Sequence, residues 1–157
     1  LEDKSFLEKI LKEGSEKDFQ GRVIVDIWNY SDQEIEKIHD FIQVLFPLDE
    51  QSKNSINKYF IKDKSLIPAI QKSELAQANF QKSCNWFLGF LERNLKWQKG
   101  FDHNQLRITR IIKSLNLLSS YENALAFYQR MVKLIKDDHS ISQTTYDYWV
   151  DALKSDA

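Results

Sequence analysis

Ala76-Gln77-Ala78-Asn79-Phe80-Gln81-Lys82-Ser83-Cys84-Asn85-Trp86-Phe87-Leu88-Gly89-Phe90-Leu91 is the stretch that decides the fold. Ala76, Phe80, Cys84, Phe87, Leu88 and Leu91 recur at three- and four-residue spacing, the period of an α-helix with one buried face. Trp86 and Phe90 lie off that stripe, so the helix is apolar on more than one side and is expected near the centre. Upstream, Ser65 is a candidate cap, and Pro68 falls in the first turn, where its missing N–H is tolerated. The pattern therefore predicts one long helix from Ser65 to somewhere between Leu95 and Gly100.

Shorter helical signals surround it. Ser5-Phe6-Leu7-Glu8 reads as a capping box, with Ile10 and Leu11 continuing the apolar face and Gly14 as the stop. Val23 to Trp28 is rich in β-branched residues, but no second strand is available to pair with it, so a short helix is expected. Ser31-Asp32-Gln33-Glu34 is another capping box, and its helix is expected to reach Phe46, ahead of Pro47. Residues 49–64 are polar, with Ile56, Tyr59, Phe60 and Ile61 as anchors, and read as a loop. Further helices are expected from an Asn104 cap to Leu118, from Ser120, and from Ser142. The expectation is an all-α fold, a compact single-domain bundle of about six or seven helices over residues 1–157.

Composition supports this reading and narrows the function. Hydrophobic residues make up 42% of the chain and charged residues 29%, the balance of an ordinary globular protein. Four Gly and two Pro are too few for the many tight turns of an all-β sandwich. A net charge of −1 gives no field to hold a phosphate backbone, so nucleic acid is not the expected partner. One cysteine, Cys84, allows no internal disulfide and suits a reducing compartment. No apolar run approaches the ~20 residues that span a bilayer, and the opening at Leu1 shows no signal-peptide architecture, so a cytoplasmic location is expected.

The polar residues that carry a functional signal lie in two segments, His39-Asp40-Phe41-Ile42-Gln43-Val44-Leu45-Phe46-Pro47-Leu48 and Asn104-Gln105-Leu106-Arg107-Ile108-Thr109-Arg110-Ile111-Ile112. At about 100° per residue, Ile35, Ile38, Ile42, Leu45 and Phe46 form the buried face of the first. His39 then borders that face, Gln43 stacks one turn on, and Val44 points away from the core. In the second, Ile108, Ile111, Ile112, Leu115 and Leu118 are the buried face, Arg107 borders it and Arg110 is more exposed. An Arg in that position is commonly a structural partner for a carboxylate, here Asp40 or Asp26. A His there is commonly a satisfied donor. The functional alternative is that His39, Gln43, His103, Arg107 and Arg110, with Asn104 as helix cap, line one cleft for an anion or carboxylate.

Catalytic sets are incomplete. His39-Asp40 invites comparison with metal-dependent phosphohydrolases, but those need a His upstream and there is none before His39. The three histidines lack metal-ligand spacing, and no phosphate loop, nucleophile elbow or Cys/His pair occurs. No cofactor, metal or enzymatic activity is expected. The lead-in from Trp97 to His103 is too long and irregular for a helix-turn-helix ahead of Arg107, Arg110 and Lys113.

The two segments together resemble the conserved region of the opioid growth factor receptor family, whose members typically carry HDYIQWLFPL and HNHLRITRIL. Phe19-Gln20-Gly21-Arg22 and Trp28 resemble the part before the first motif, and Phe87-Leu88-Gly89-Phe90 and Trp97 the middle. Ser142-Gln143-Thr144-Thr145-Tyr146-Asp147-Tyr148-Trp149 resembles the ending of short bacterial-type members. The chain departs at Val44, where the family usually has Trp, and at Gln105, where His is usual. The family's animal members are described as receptors for the peptide Met-enkephalin, which implies a binding domain. The expected partner is thus a peptide, a small anionic ligand or a protein, without carrying over the peptide specificity. The alternatives are a small enzyme acting on an anionic or nucleotide-like substrate through the His39 and Arg107 cluster, and an interaction module using exposed Trp86, Trp97 and Phe90.

Overall fold

A computed structural model describes residues 17–18, 20–50 and 60–154. Among them all regular structure is helical: α1 (Ile24–Trp28), α2 (Asp32–Lys37), α3 (Ile42–Leu45), α4 (Leu66–Lys72), α5 (Glu74–Arg93), a 3₁₀ turn (Leu95–Gln98), α6 (His103–Leu118), α7 (Tyr121–Val132) and α8 (Gln143–Lys154). The expected all-α class is correct. The helix expected over Ser5 to Gly14 lies outside the described residues. By packing, the chain divides into two compact units, Leu1–Ser83 and Cys84–Ala157, the boundary falling inside α5. No described helix is long and apolar enough to cross a membrane.

In the first unit, the two helices read as long are each broken. Ser31 caps α2 as expected, accepting from the Glu34 amide at 3.2 Å while its own N–H donates to the Glu34 carboxylate at 2.8 Å. The helix stops at Lys37, because Ile38 turns extended at φ −85° and ψ 132°, a conformation that suits a β-branched side chain. One turn of helix, α3, then restarts in a new register. That change of register buries Val44 to 1% exposure, where a continuous helix would have pointed it away from the core. Phe41 meets the Tyr30 ring edge-on at 5.8 Å, and Phe46 stacks on Phe80 at 6.2 Å.

The second break is at Ser73, extended at φ −79° and ψ 116°. Ser65 stands at the N-cap of α4 as expected, but its side chain makes no capping bond; its N–H and hydroxyl both donate to Asp63 Oδ1. The capping side chain is that of Ser73, its Oγ accepting from the Ala76 amide at 3.1 Å, while the Gln77 side chain donates to the Ile70 carbonyl at 3.0 Å. Both helix ends at the break are thus satisfied. Along α5 the expected stripe is buried, and Phe90, off the stripe, is buried too. Within the first unit, Trp28 Nε1 donates to Ser83 Oγ at 2.8 Å.

The second unit is built on α6, which packs against α7, α8 and the 3₁₀ turn. Its expected buried face, Ile108, Ile111, Ile112, Leu115 and Leu118, is at most 2% exposed. Ser120 and Ser142 cap α7 and α8 as read, through the amides of Asn123 and Thr145. Gln98 knits the lead-in to the α7–α8 connection. Its Nε2 donates to the Leu134 carbonyl and its Oε1 accepts from the Lys136 amide, both at 2.8 Å. Gly100 takes φ +60° in the turn before α6, a conformation L side chains avoid. Trp97 and Phe90 are each 1% exposed and Trp86 is half-buried, so the expected surface of exposed aromatics does not exist. Trp97 and Phe90 serve as core, and the buried Trp97 indole N–H is satisfied by the Leu91 carbonyl at 2.9 Å.

Candidate functional site

The two motif segments fall in different units. His39 and Gln43 belong to the first, and His103, Asn104, Arg107 and Arg110 to the second.

In the first unit, His39 is exposed and sits in the extended link between α2 and α3. Gln43 is inside α3 and 8% exposed, and its side-chain oxygen has no hydrogen-bond partner among the described residues. The two were expected to stack one turn apart on one helix; the break at Ile38 puts them on separate segments. Asp40 and Asp26, proposed from sequence as neutralisers of Arg107, have other work. Asp26 accepts from the Val23 amide at the start of α1, and Asp40 accepts from Arg22 Nη1 at 2.8 Å.

Arg22 is the hub that sequence reading missed. Its Nε donates to Asp18 Oδ2 at 2.7 Å, its Nη1 also donates to the Tyr30 hydroxyl at 3.0 Å, and the Asp18 side chain is fully withdrawn from solvent. Burial opposes the guanidinium charge, but the hydrogen bonds to Tyr30 and Asp40 and the attraction of Asp18 outweigh it and raise the Arg22 pKa. The available signal was Asp18 at i, i+4 from Arg22, a spacing that fits an ion pair only if the segment turns.

In the second unit, the N-cap of α6 is Asp102, whose carboxylate accepts from the Asn104 amide at 2.9 Å. Asn104 was the expected cap. It instead lies in the first turn at 3% exposure and caps a side chain, its Oδ1 accepting from Arg107 Nη1 at 3.0 Å. Arg107 is 6% exposed. His103 is half-buried, with Nδ1 3.9 Å from the Asp102 carboxylate, and Arg110 is half-buried one turn beyond Arg107. So four of the six residues read as a site share the first two turns of one helix, at the end where free amides and the dipole favour negative charge.

Gln105, where the chain departs from the family pattern, is a structural hub at 1% exposure. Its Nε2 donates to the Trp97 and Gly100 carbonyls, both at 2.8 Å, and its Oε1 accepts from Thr145 Oγ1 at 3.1 Å. Its backbone carbonyl takes the Trp149 indole N–H at 3.1 Å. Cys84 is buried, as its place on the apolar stripe implies. Burial pushes its thiol up to about 12 against the pull of Arg130, so the sulfur holds its proton at neutral pH and is a poor nucleophile.

Comparison with known proteins extends the motif evidence. Residues 14–100 match the family described as the opioid growth factor receptor (OGFr) conserved region. Opioid growth factor receptor-like protein 1 of Rattus norvegicus is 30% identical over 156 residues, covering 83% of this chain and 32% of the relative. The protein of that name from Xenopus tropicalis is 30% identical over 138 residues, covering 77% of this chain and 26% of its own length. The chain thus spans about a third or less of the curated relatives it matches. No solved structure matches it.

Proposed function

We propose, from the premise that this chain belongs to the opioid growth factor receptor family, that it acts by binding rather than by catalysis. The recognition element is the first two turns of α6, and the group recognised is a carboxylate of a peptide, a protein partner or a small anionic ligand. One observation carries this reading: the buried Arg107 guanidinium is oriented by the neutral side-chain oxygen of Asn104 at the positive end of a helix. The planar fork of a guanidinium suits two parallel hydrogen bonds to a carboxylate. His103 and Arg110 add donors on the same two turns. The receptor-like names of the relatives support a binding role, and the high thiol pKa of Cys84 removes one nucleophile from consideration.

Calorimetric titration tests it, with a short peptide bearing a free C-terminal carboxylate and the same peptide amidated. Binding of the acid alone, weakened about tenfold or more by Arg110→Gln, is expected. Equal binding of both peptides, indifference to Arg110→Gln, or conversion of the added peptide to a product would overturn the proposal.

A further inference from the structure

The second unit also holds a cleft of about 240 Å³ lined by Asn85, Leu88, Gly89, Glu92, Arg130 and Leu134. The first four stand at i, i+3, i+4 and i+7 on α5 and so share one face of it, while Arg130 and Leu134 come from α7 and its exit. The volume is below that of sites for drug-sized molecules, so the fitting ligand is small.

The lining carries one charge of each sign, Arg130 and Glu92, and the Arg93 guanidinium reaches over Gly89 at its edge. Arg130 Nη1 donates to Asn85 Oδ1 at 2.7 Å, which fixes the guanidinium without neutralising it. Neither Arg130 nor Glu92 makes an ion pair among the described residues. A simple anion at Arg130 would also face the Glu92 carboxylate, and a simple cation at Glu92 would face the guanidinium. A molecule carrying both charges satisfies both groups, and Leu88 and Leu134 offer it an apolar wall.

Gly89 points the same way. Glycine inside a helix is unfavourable relative to alanine, yet this one lines the cleft four residues before the end of α5. A Cβ there would meet the tip of the Arg93 side chain, 3.0 Å from Nη1, and otherwise open space. The missing side chain therefore leaves space beside the helix that only the flexible Arg93 tip enters. We infer that this cleft is a binding site for a small zwitterion of the α-amino-acid class with an apolar side chain, its carboxylate on Arg130 and its ammonium on Glu92. The site goes beyond the α6 recognition element and uses none of its residues.

The test is calorimetric titration of the full chain with L-leucine, N-acetyl-leucine and leucinamide, which remove in turn the ammonium and the carboxylate. Leucine should bind, and each blocked derivative should bind at least about tenfold more weakly. Arg130→Gln and Glu92→Gln should each weaken leucine by a similar factor. Gly89→Ala should abolish binding while the thermal midpoint holds or rises, since alanine is the better helix former and the flexible Arg93 tip can move aside. Absence of leucine binding to the folded chain, equal binding of the blocked forms, or leucine binding unchanged in Gly89→Ala would overturn the assignment.

Discussion

At the scale of single residues, the polar side chains divide by what they touch rather than by what they resemble. Gln105 stands where the family usually has His, yet it faces no open recess: both ends of its amide are used, on two carbonyls and a hydroxyl. Its removal would take the donor from the Trp97 and Gly100 carbonyls and the acceptor from the Thr145 hydroxyl, with a desolvation cost largest at the buried Trp97 and Thr145. Gln105→Ala should therefore lower the unfolding free energy by about 2–4 kcal/mol in a denaturant titration. Thr145→Val removes only the hydroxyl from that group and should lose less. A neutral Gln105→Ala would show that water replaces the amide. Sequence reading placed Arg107 at the border of the apolar face and was nearly right, because a helical wheel works within one uninterrupted helix. It misread Asn104, because the choice between Asp102 and Asn104 as cap depends on which residue turns extended, here Asp102 at φ −143° and ψ 140°.

At the scale of elements, the caps were legible and the breaks were not. The capping box at Ser31 is written in four adjacent residues, and Ser120 and Ser142 stand directly before apolar-periodic stretches, so all three helix starts could be found by inspection. A break leaves no such mark when the helical spacing of apolar residues continues through it, as Ile35, Ile38 and Ile42 do. Ser73 did carry a signal: serine followed at once by an acidic residue, Glu74, ahead of the long stripe. The helices α4 and α5 make this testable. Ser73→Ala should destabilise by about 1 kcal/mol, the usual worth of a lost N-cap. Ser65→Ala should cost less, since the Ser65 side chain makes no capping hydrogen bond to α4 and bonds Asp63 instead. Equal losses in chemical denaturation would mean that the break at Ser73 is set by packing and not by its hydroxyl.

At the scale of the whole molecule, stability is linked to pH through Cys84, the only cysteine in the chain. Burial raises its thiol from the usual 9.0 to about 12, so the folded chain binds that proton more tightly than the unfolded one. The contribution is complete below 9.0 and fades as pH climbs through the interval to about 12. Denaturant midpoints followed across that interval should fall more steeply for the natural chain than for Cys84→Ala, and parallel curves would contradict the burial argument. The division of labour between sequence and structure follows the range of the forces involved. Sequence by itself determined the helical class, the caps at Ser31, Ser120 and Ser142, the buried faces of α5 and α6, and the family, because period and capping are local properties of adjacent residues. Tertiary structure alone decided the break at Ile38, the burial of Val44, the Arg22 hub across 22 residues of chain from Asp18 to Asp40, and the cleft between α5 and α7. Each of those joins groups distant in sequence, and side-chain packing and hydrogen bonding over such separations leave no periodic trace in the chain.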